Sequence, residues 1–161
     1  MEVFYKVISI MESKEIVSNR RAYHDYEILE TLEAGVILQG TEIKSLRDNG
    51  GSLQESYIKI INDTPLLLGA TIAPYRFGNI YNHQEKRDRV LLLHKKEIAR
   101  LRALTQEKGL TLIALSMYLK KGRVKIKVGV ARGKKLVDKR ASIKERDEKR
   151  TMQRAMKGSL D

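Results

Sequence analysis

Between Arg123 and Ala131 the side chains alternate, and the chain then turns abruptly basic. Val124, Ile126, Val128 and Val130 fall on one set of positions, and Arg123, Lys125 and Lys127 on the other. A strand has a side-chain period of two, so this segment buries its valines and turns a row of cations to water. Residues 132–157 then hold eleven Lys/Arg and four Asp/Glu, a net +7 that is more than half of the chain's +12. That stretch has almost nothing to put in a core. A β body therefore ends near residue 131, and a basic tail follows.

Upstream, the same period recurs in short pieces. Tyr26 and Ile28 alternate with Glu27, and Val36 to Leu38 is a short apolar run. Two strands are expected, about 24–32 and 34–40, joined near Glu33-Ala34-Gly35. Ile43 and Leu46 share a helical face over about 42–48, and Asn49-Gly50-Gly51 stops it. Strands are expected at 57–61 and 66–72 around the turn Asn62-Asp63-Thr64-Pro65. Residues 75–89 read as a loop, and Val90 to Leu93 as a short buried strand. Lys95 to Lys108 is the strongest helix, with an Ile98, Leu101 and Leu104 seam and Gly109 as its cap. Leu110 to Leu119 is a long strand, turned by Lys120-Lys121-Gly122 into the basic one.

About seven strands and one good helix predict a mainly β fold, a small closed or partly open antiparallel barrel. The layout is a flexible extension over 1–18, a barrel over 19–131 and a basic tail over 132–161. Residues 12–21 read as loose. Ser142-Ile143-Lys144-Glu145 matches a capping box, and Glu145 and Lys149 form an i,i+4 pair worth ~0.2–0.5 kcal/mol. A helix so weakly supported is marginal alone, so the tail is expected to be disordered in the free chain and helical on a partner.

Several chemistries lack their residues. The chain has no cysteine, so disulfides, thiolate zinc sites and cysteine nucleophiles are excluded. His24, His83 and His94 are scattered and lack metal spacing. His24-Asp25, read as strand neighbours, point apart and make no catalytic dyad. No phosphate loop, nucleophile elbow or dinucleotide fingerprint occurs. The reading is a protein without catalytic residues, metal or cofactor. No run suits a membrane span, and residues 1–10 lack the features of a secretory signal, so a cytoplasmic protein is expected, and with no heptad or large unexplained apolar face a monomer is the default. Met11 is a candidate initiator.

Binding is better supported. Arg123, Lys125 and Lys127 recur about 6.6 Å apart at ~3.3 Å per residue, a spacing that tracks a phosphate backbone or simply faces water. Tyr75, Phe77 and Tyr81, near Arg76 and Arg87, either stack bases or pack against the barrel. Glu33 is either a turn residue or an acceptor for base amino and imino groups.

Five blocks in order carry a specific resemblance: NRRAYHDYEI, LEAGVILQGTEIKSLR, GSLQESYIKI, LLLHKKEIARL and GRVKIKVGVARGKKLVDKRASIKERD. Over about Asn19 to Lys157 the chain resembles the SsrA-binding proteins, or small protein B family, of bacterial trans-translation. The resemblance implies an oligonucleotide-binding-like barrel, no enzymatic activity, and a tail that folds on the ribosome. It implies binding to the tRNA-like domain of transfer-messenger RNA (tmRNA). Delivery of that RNA, alanyl-charged and with elongation factor Tu, to stalled ribosomes would follow. The tail would enter the decoding site and the empty mRNA channel. Carried over by position, the RNA-binding residues are Glu33, Leu92 and Lys125, flanked by Arg123 and Lys127, with Asn19 and His24 in the N-terminal block. Leu92 is expected to be a core residue that shapes the site. The tail residues are Lys134, Lys135, Asp138, Lys139, Arg140, Lys144, Arg146 and Met156. Val137 stands where some members have a histidine, Ala155 replaces a larger apolar residue, and Tyr23 a common basic one.

Two other readings fit the charge. One is a barrel for any structured RNA, or an RNA chaperone. The other is a protein-interaction module whose tail docks an acidic partner or membrane. Selectivity for a tRNA-like elbow separates the first reading from both.

Overall fold

The computed structural model describes residues 13–134 and 136–158. The possible start at Met11 and residue Lys135 lie outside them. In chain order the elements are β1 (Ser13–Ser18), α1 (Arg20–Asp25), β2 (Tyr26–Val36), α2 (Gly40–Arg47), β3 (Gly51–Ser52), β4 (Tyr57–Ile61) and β5 (Thr64–Leu68). They continue with β6 (Thr71–Ile72), β7 (Arg89–Leu92), α3 (Lys95–Glu107), β8 (Thr111–Lys120), β9 (Arg123–Gly133) and α4 (Leu136–Gly158). One 3-10 turn spans Asn79–Tyr81.

The strands close on themselves as an antiparallel barrel. The order is β8-β4-β5-β7-β2-β9, and β9 returns to β8. The seam between β4 and β8 is short, with Ile58 opposite Leu112. β1 extends the same edge of β8 further along, pairing Ser13 with Lys120 and Glu15 with Tyr118. The mainly β, barrel expectation therefore holds. Val124, Ile126, Val128 and Val130 all point inward with Leu67, Leu91, Leu112 and Met117, as the period of two requires. Leu101 of α3 is buried in the same core, and Gly109 follows the helix at φ +63°, a conformation that favours glycine.

A bulge between Ala114 and Ser116 of β8 puts both Leu115 and Ser116 on the outer face. Leu115, Ile113 and Ala131 then form a second small core, covered by Ala22 of α1. For residues 13–21 this corrects the reading of 12–21 as loose, residue 12 lying outside the described residues, and it corrects the reading of 24–25 as strand. β1 buries only Val17, so it carries no alternating signal. α1 is a short cap whose only buried residue is Ala22.

Two further expectations change. The two strands expected to meet at Glu33-Ala34-Gly35 are one strand, β2, with Ala34 in the core. The β4–β5 turn is Asn62-Asp63 alone, at φ 49° and 59°, the left-handed pair of a two-residue hairpin. Pro65 lies within β5 opposite Ile60. The tail is helical here from Leu136, ahead of the capping box. From Ile143 to Gly158 its residues are exposed, so local pairing such as Glu145–Lys149 at 3.1 Å supports it. Among the described residues no helix is long and apolar enough to cross a membrane.

The loop between β6 and β7 has a buried ionic root that its charged, aperiodic sequence does not announce. Glu42 of α2 and Arg89 of β7 are both fully buried and bonded to each other. Arg87 reaches the other Glu42 oxygen at 2.6 Å. Arg89 also donates to the carbonyls of Ala70, Arg87 and Glu85 at 3.0, 2.8 and 3.1 Å. Burial pushes the Glu42 carboxyl up. The Gln39 N–H and both guanidiniums outweigh that, and its pKa is lowered. His83 is buried alongside, 2.8 Å from the Ile72 carbonyl and 2.9 Å from the Thr41 hydroxyl.

Candidate nucleic-acid interface

Register builds the interface. Across the outer face, Leu92 of β7 pairs with Gly35 of β2. Gly35 pairs with Lys125 of β9, and Lys125 pairs with Tyr118 of β8. Directly opposed residues project to the same side of a sheet, so these four form one row. The next row holds Glu33, Lys127 and Ser116. Arg123 and Lys120 form a third. Glu33, Leu92 and Lys125, far apart in sequence, thus share one patch.

Gly35 permits this arrangement. A Cβ placed there would lie 3.2 Å from the Leu92 Cβ, so a side chain would crowd Leu92. Leu92 itself is 56% exposed, while Leu91 is 2%. The expectation that Leu92 belongs to the core is corrected: the run of three leucines hides which one points inward. Leu92 presents an apolar surface beside the cations. Arg123 is exposed, but Lys125 and Lys127 are half-buried against their neighbours.

Glu33 is a mid-strand residue, which corrects its placement in a turn. One carboxylate oxygen, Oε2, accepts the Tyr118 hydroxyl and lies 3.4 Å from the Lys120 ammonium. Partial burial alone would raise its pKa. The Tyr118 hydroxyl, Lys120 and Lys125 outweigh it, so Glu33 sits below the ordinary carboxylate range. Tyr118 responds in the opposite direction: burial and the adjacent carboxylate raise its pKa. The patch therefore offers a fixed, ionised acceptor amid three lysines.

The N-terminal pair lies elsewhere. Asn19 is buried, and its Nδ2 donates to the carbonyls of Leu53 at 3.2 Å and Ala114 at 3.0 Å. These bonds fasten α1 to the barrel. His24 is partly buried, with Nδ1 2.9 Å from Asp25 Oδ1. The expectation that these neighbours diverge fails because they end a helix. Lys134 ties the start of the tail to α1, with its N–H on Asp25 O at 3.0 Å and its Nζ on Tyr23 O at 3.1 Å. Arg140, Lys144, Arg146 and Met156 are exposed on α4. Asp138 and Lys139 enter through the helix backbone.

The aromatic loop divides. Tyr75 meets Phe77 edge-on at 5.5 Å, and Asn82 staples the Tyr75 N–H and carbonyl at 2.8 and 2.9 Å. Phe77 and Tyr81 are largely exposed, with Arg76 4.9 Å from the Phe77 ring centre. Arg87, grouped with these rings from the sequence, is bonded to Glu42 instead. Tyr118, Lys120 and Gly35 were not singled out from the sequence. Only the strand pairing, which places them beside Glu33 and Lys125, reveals them.

The chain is similar to known proteins over most of its length. The pattern of the family described as "SmpB protein" matches residues 16–158. A protein of Protochlamydia amoebophila described as an SsrA-binding protein is 61% identical over 143 residues, covering 89% of this chain and 94% of its own. Another, from Chlamydia caviae, is 57% identical over 91% of this chain and 98% of its own. A third, from Ruminiclostridium cellulolyticum, is 53% identical over 91% and 96%. A solved structure described as "tmRNA-SmpB: a journey to the center of the bacterial ribosome" superposes with a TM-score of 0.64 at 45% identity. The match covers 76% of this chain and 87% of that one.

Proposed function

The chain belongs to the SmpB family of SsrA-binding proteins, and from that premise we propose that it binds the tRNA-like domain of tmRNA and brings it to stalled ribosomes. One observation carries the reading: Glu33, Leu92 and Lys125 from three strands fall on one outer patch of the barrel. Cations for the phosphates, an apolar surface and a fixed acceptor are what a folded RNA elbow requires. Arg123 and Lys127 extend that patch. Asn19 acts at one remove, by seating α1 on the barrel, and His24 lies on the same helix.

The tail is the second functional part. Lys134, Lys135, Asp138, Lys139, Arg140, Lys144, Arg146 and Met156 would contact the ribosomal decoding site and the empty mRNA channel. A helix this basic and this exposed releases counterions when it enters an RNA-lined channel. Helical population should be low in free solution and high on the ribosome. The role is binding and delivery without catalysis, by a cytoplasmic monomer whose cargo travels alanyl-charged with elongation factor Tu.

Replacing Lys125 by alanine should weaken binding to the tRNA-like domain and lower the salt slope by about one, as loss of one phosphate contact predicts. Leu92→Ala should weaken binding without changing that slope. Fluorescence anisotropy across a salt series separates the two. Unchanged affinity in both variants would mean that this patch is not the interface.

A further inference from the structure

Where the tail helix meets α1, arginines gather without counter-charges. Lys134 leaves β9 bonded to the Asp25 and Tyr23 carbonyls of α1, and α4 then touches α1. Ile143, Arg146, Asp147 and Arg150 recur at i, i+3, i+4 and i+7, which is one helical face. That face and Arg20, Arg21 and His24 of α1 line one open depression of about 410 Å³. Arg21 has Asp25 at 3.4 Å. Among the described residues Arg20, Arg146 and Arg150 make no ion pair. His24 adds a buried Nε2 that has no hydrogen-bond partner among the described residues.

We infer that the depression between α1 and α4 is a phosphate-binding site, and that the bound anion seats the tail helix on the body. Four guanidiniums line it with Asp147 as the one carboxylate in the lining. Such a set repels itself when empty, and that repulsion opposes the docking of α4. A phosphate reverses the balance, because guanidinium forks match its oxygens and its charge offsets theirs. His24 fits the same ligand. Its Nδ1 lies 2.9 Å from Asp25 Oδ1, which holds the ring, and when protonated its Nε2 is a further donor. The helix is marginal alone, so the anion decides whether residues 143–150 stay formed and docked. None of these residues belongs to the patch at Glu33, Leu92 and Lys125. The site needs no RNA selectivity by the barrel, so it stands or falls apart from the reading above. A free polyphosphate and an RNA backbone share this chemistry, and the test separates them.

The test follows amide hydrogen exchange of residues 143–150 in the full chain, in sodium pyrophosphate against sodium chloride at equal ionic strength. At pyrophosphate about ten times its dissociation constant, exchange should slow by about tenfold. Arg20 is exposed on α1, outside the helix whose exchange is read. Arg20→Ala should therefore abolish the slowing and leave the thermal midpoint unchanged. Arg154→Ala removes an exposed α4 cation that does not line the depression, and should keep the slowing. A uridine RNA hexamer in place of pyrophosphate separates the sources. Slowing by the hexamer that Arg20→Ala removes assigns the site to a diester backbone, and slowing by pyrophosphate alone assigns it to a free polyphosphate. No slowing by either ligand, or slowing that persists in Arg20→Ala, would overturn the site.

Discussion

Replacing Glu42 by glutamine is expected to cost about 3–5 kcal/mol of stability, the usual loss when one partner of a buried ion pair is removed. Arg89 would then keep a charge at the root of the β6–β7 loop with no counter-charge on its Nε, since its remaining partners are carbonyls. At roughly 2–4 °C per kcal/mol for a chain of this size, the thermal midpoint should fall by about 6–20 °C. A double replacement, Glu42→Leu with Arg89→Met, should recover much of the loss, because two apolar groups leave no buried charge. The pH dependence follows from the lowered pKa of Glu42. A carboxylate depressed on folding stabilises above its unfolded value, about 4.3, and that contribution is lost as pH falls through the folded value. The gap between native and Glu42→Gln proteins should therefore narrow in acid. Melts followed by circular dichroism from pH 7 to pH 3 check both points. A loss under about 1 kcal/mol at pH 7 would show that the pair is not the anchor its burial implies.

The second large effect concerns the tail. Ending the chain before Ser142, or replacing Asp138-Lys139-Arg140 by alanines, should leave affinity for the tRNA-like domain within about threefold at ~150 mM salt, where long-range attraction is screened. The same variants should lose peptide tagging in a reconstituted stalled-ribosome reaction. The division follows from structure: the patch at Glu33, Leu92 and Lys125 is built by β2, β7, β8 and β9, and among the described residues α4 contributes no member of it. Lys134, which ties the tail's start to α1, remains in both variants. Loss of RNA affinity on truncation would show that the tail is part of the RNA site.

What could be read from the sequence follows the strength of the local period. β9 alternates between valines and cations, and α3 carries an apolar seam with a glycine cap, so both were legible. β1 was not, because it lies on an edge and buries one residue. α1 was not, because only Ala22 is inside. Three leucines in a row give no phase for Leu92; only the pairing with Gly35 shows which one faces out. Glu33 was put in a turn because Ala34-Gly35 resembles one. In the barrel the glycine instead makes room for Leu92. The Glu42–Arg89 pair joins residues on α2 and β7, and no local pattern announces such a contact.

The resemblance named three candidate interface residues, but it could not say that they adjoin or how each acts. Register supplied that, along with Tyr118 and Lys120. A positional match identifies the residue, while hydrogen bonds and neighbouring charges identify its chemistry. For Asn19 the two diverge: its amide is spent inside the protein on Leu53 and Ala114.

The central claim is selectivity for a tRNA-like RNA. It is tested most directly by competition at ~150 mM salt, where non-specific phosphate contacts are already weakened. The labelled ligand is the tRNA-like domain of tmRNA, and the competitors are that domain unlabelled, ordinary tRNA and an unrelated RNA duplex. Effective competition by the tRNA-like domain alone is the predicted result. Equal competition by all three would contradict the account and leave a barrel that binds structured RNA of any kind.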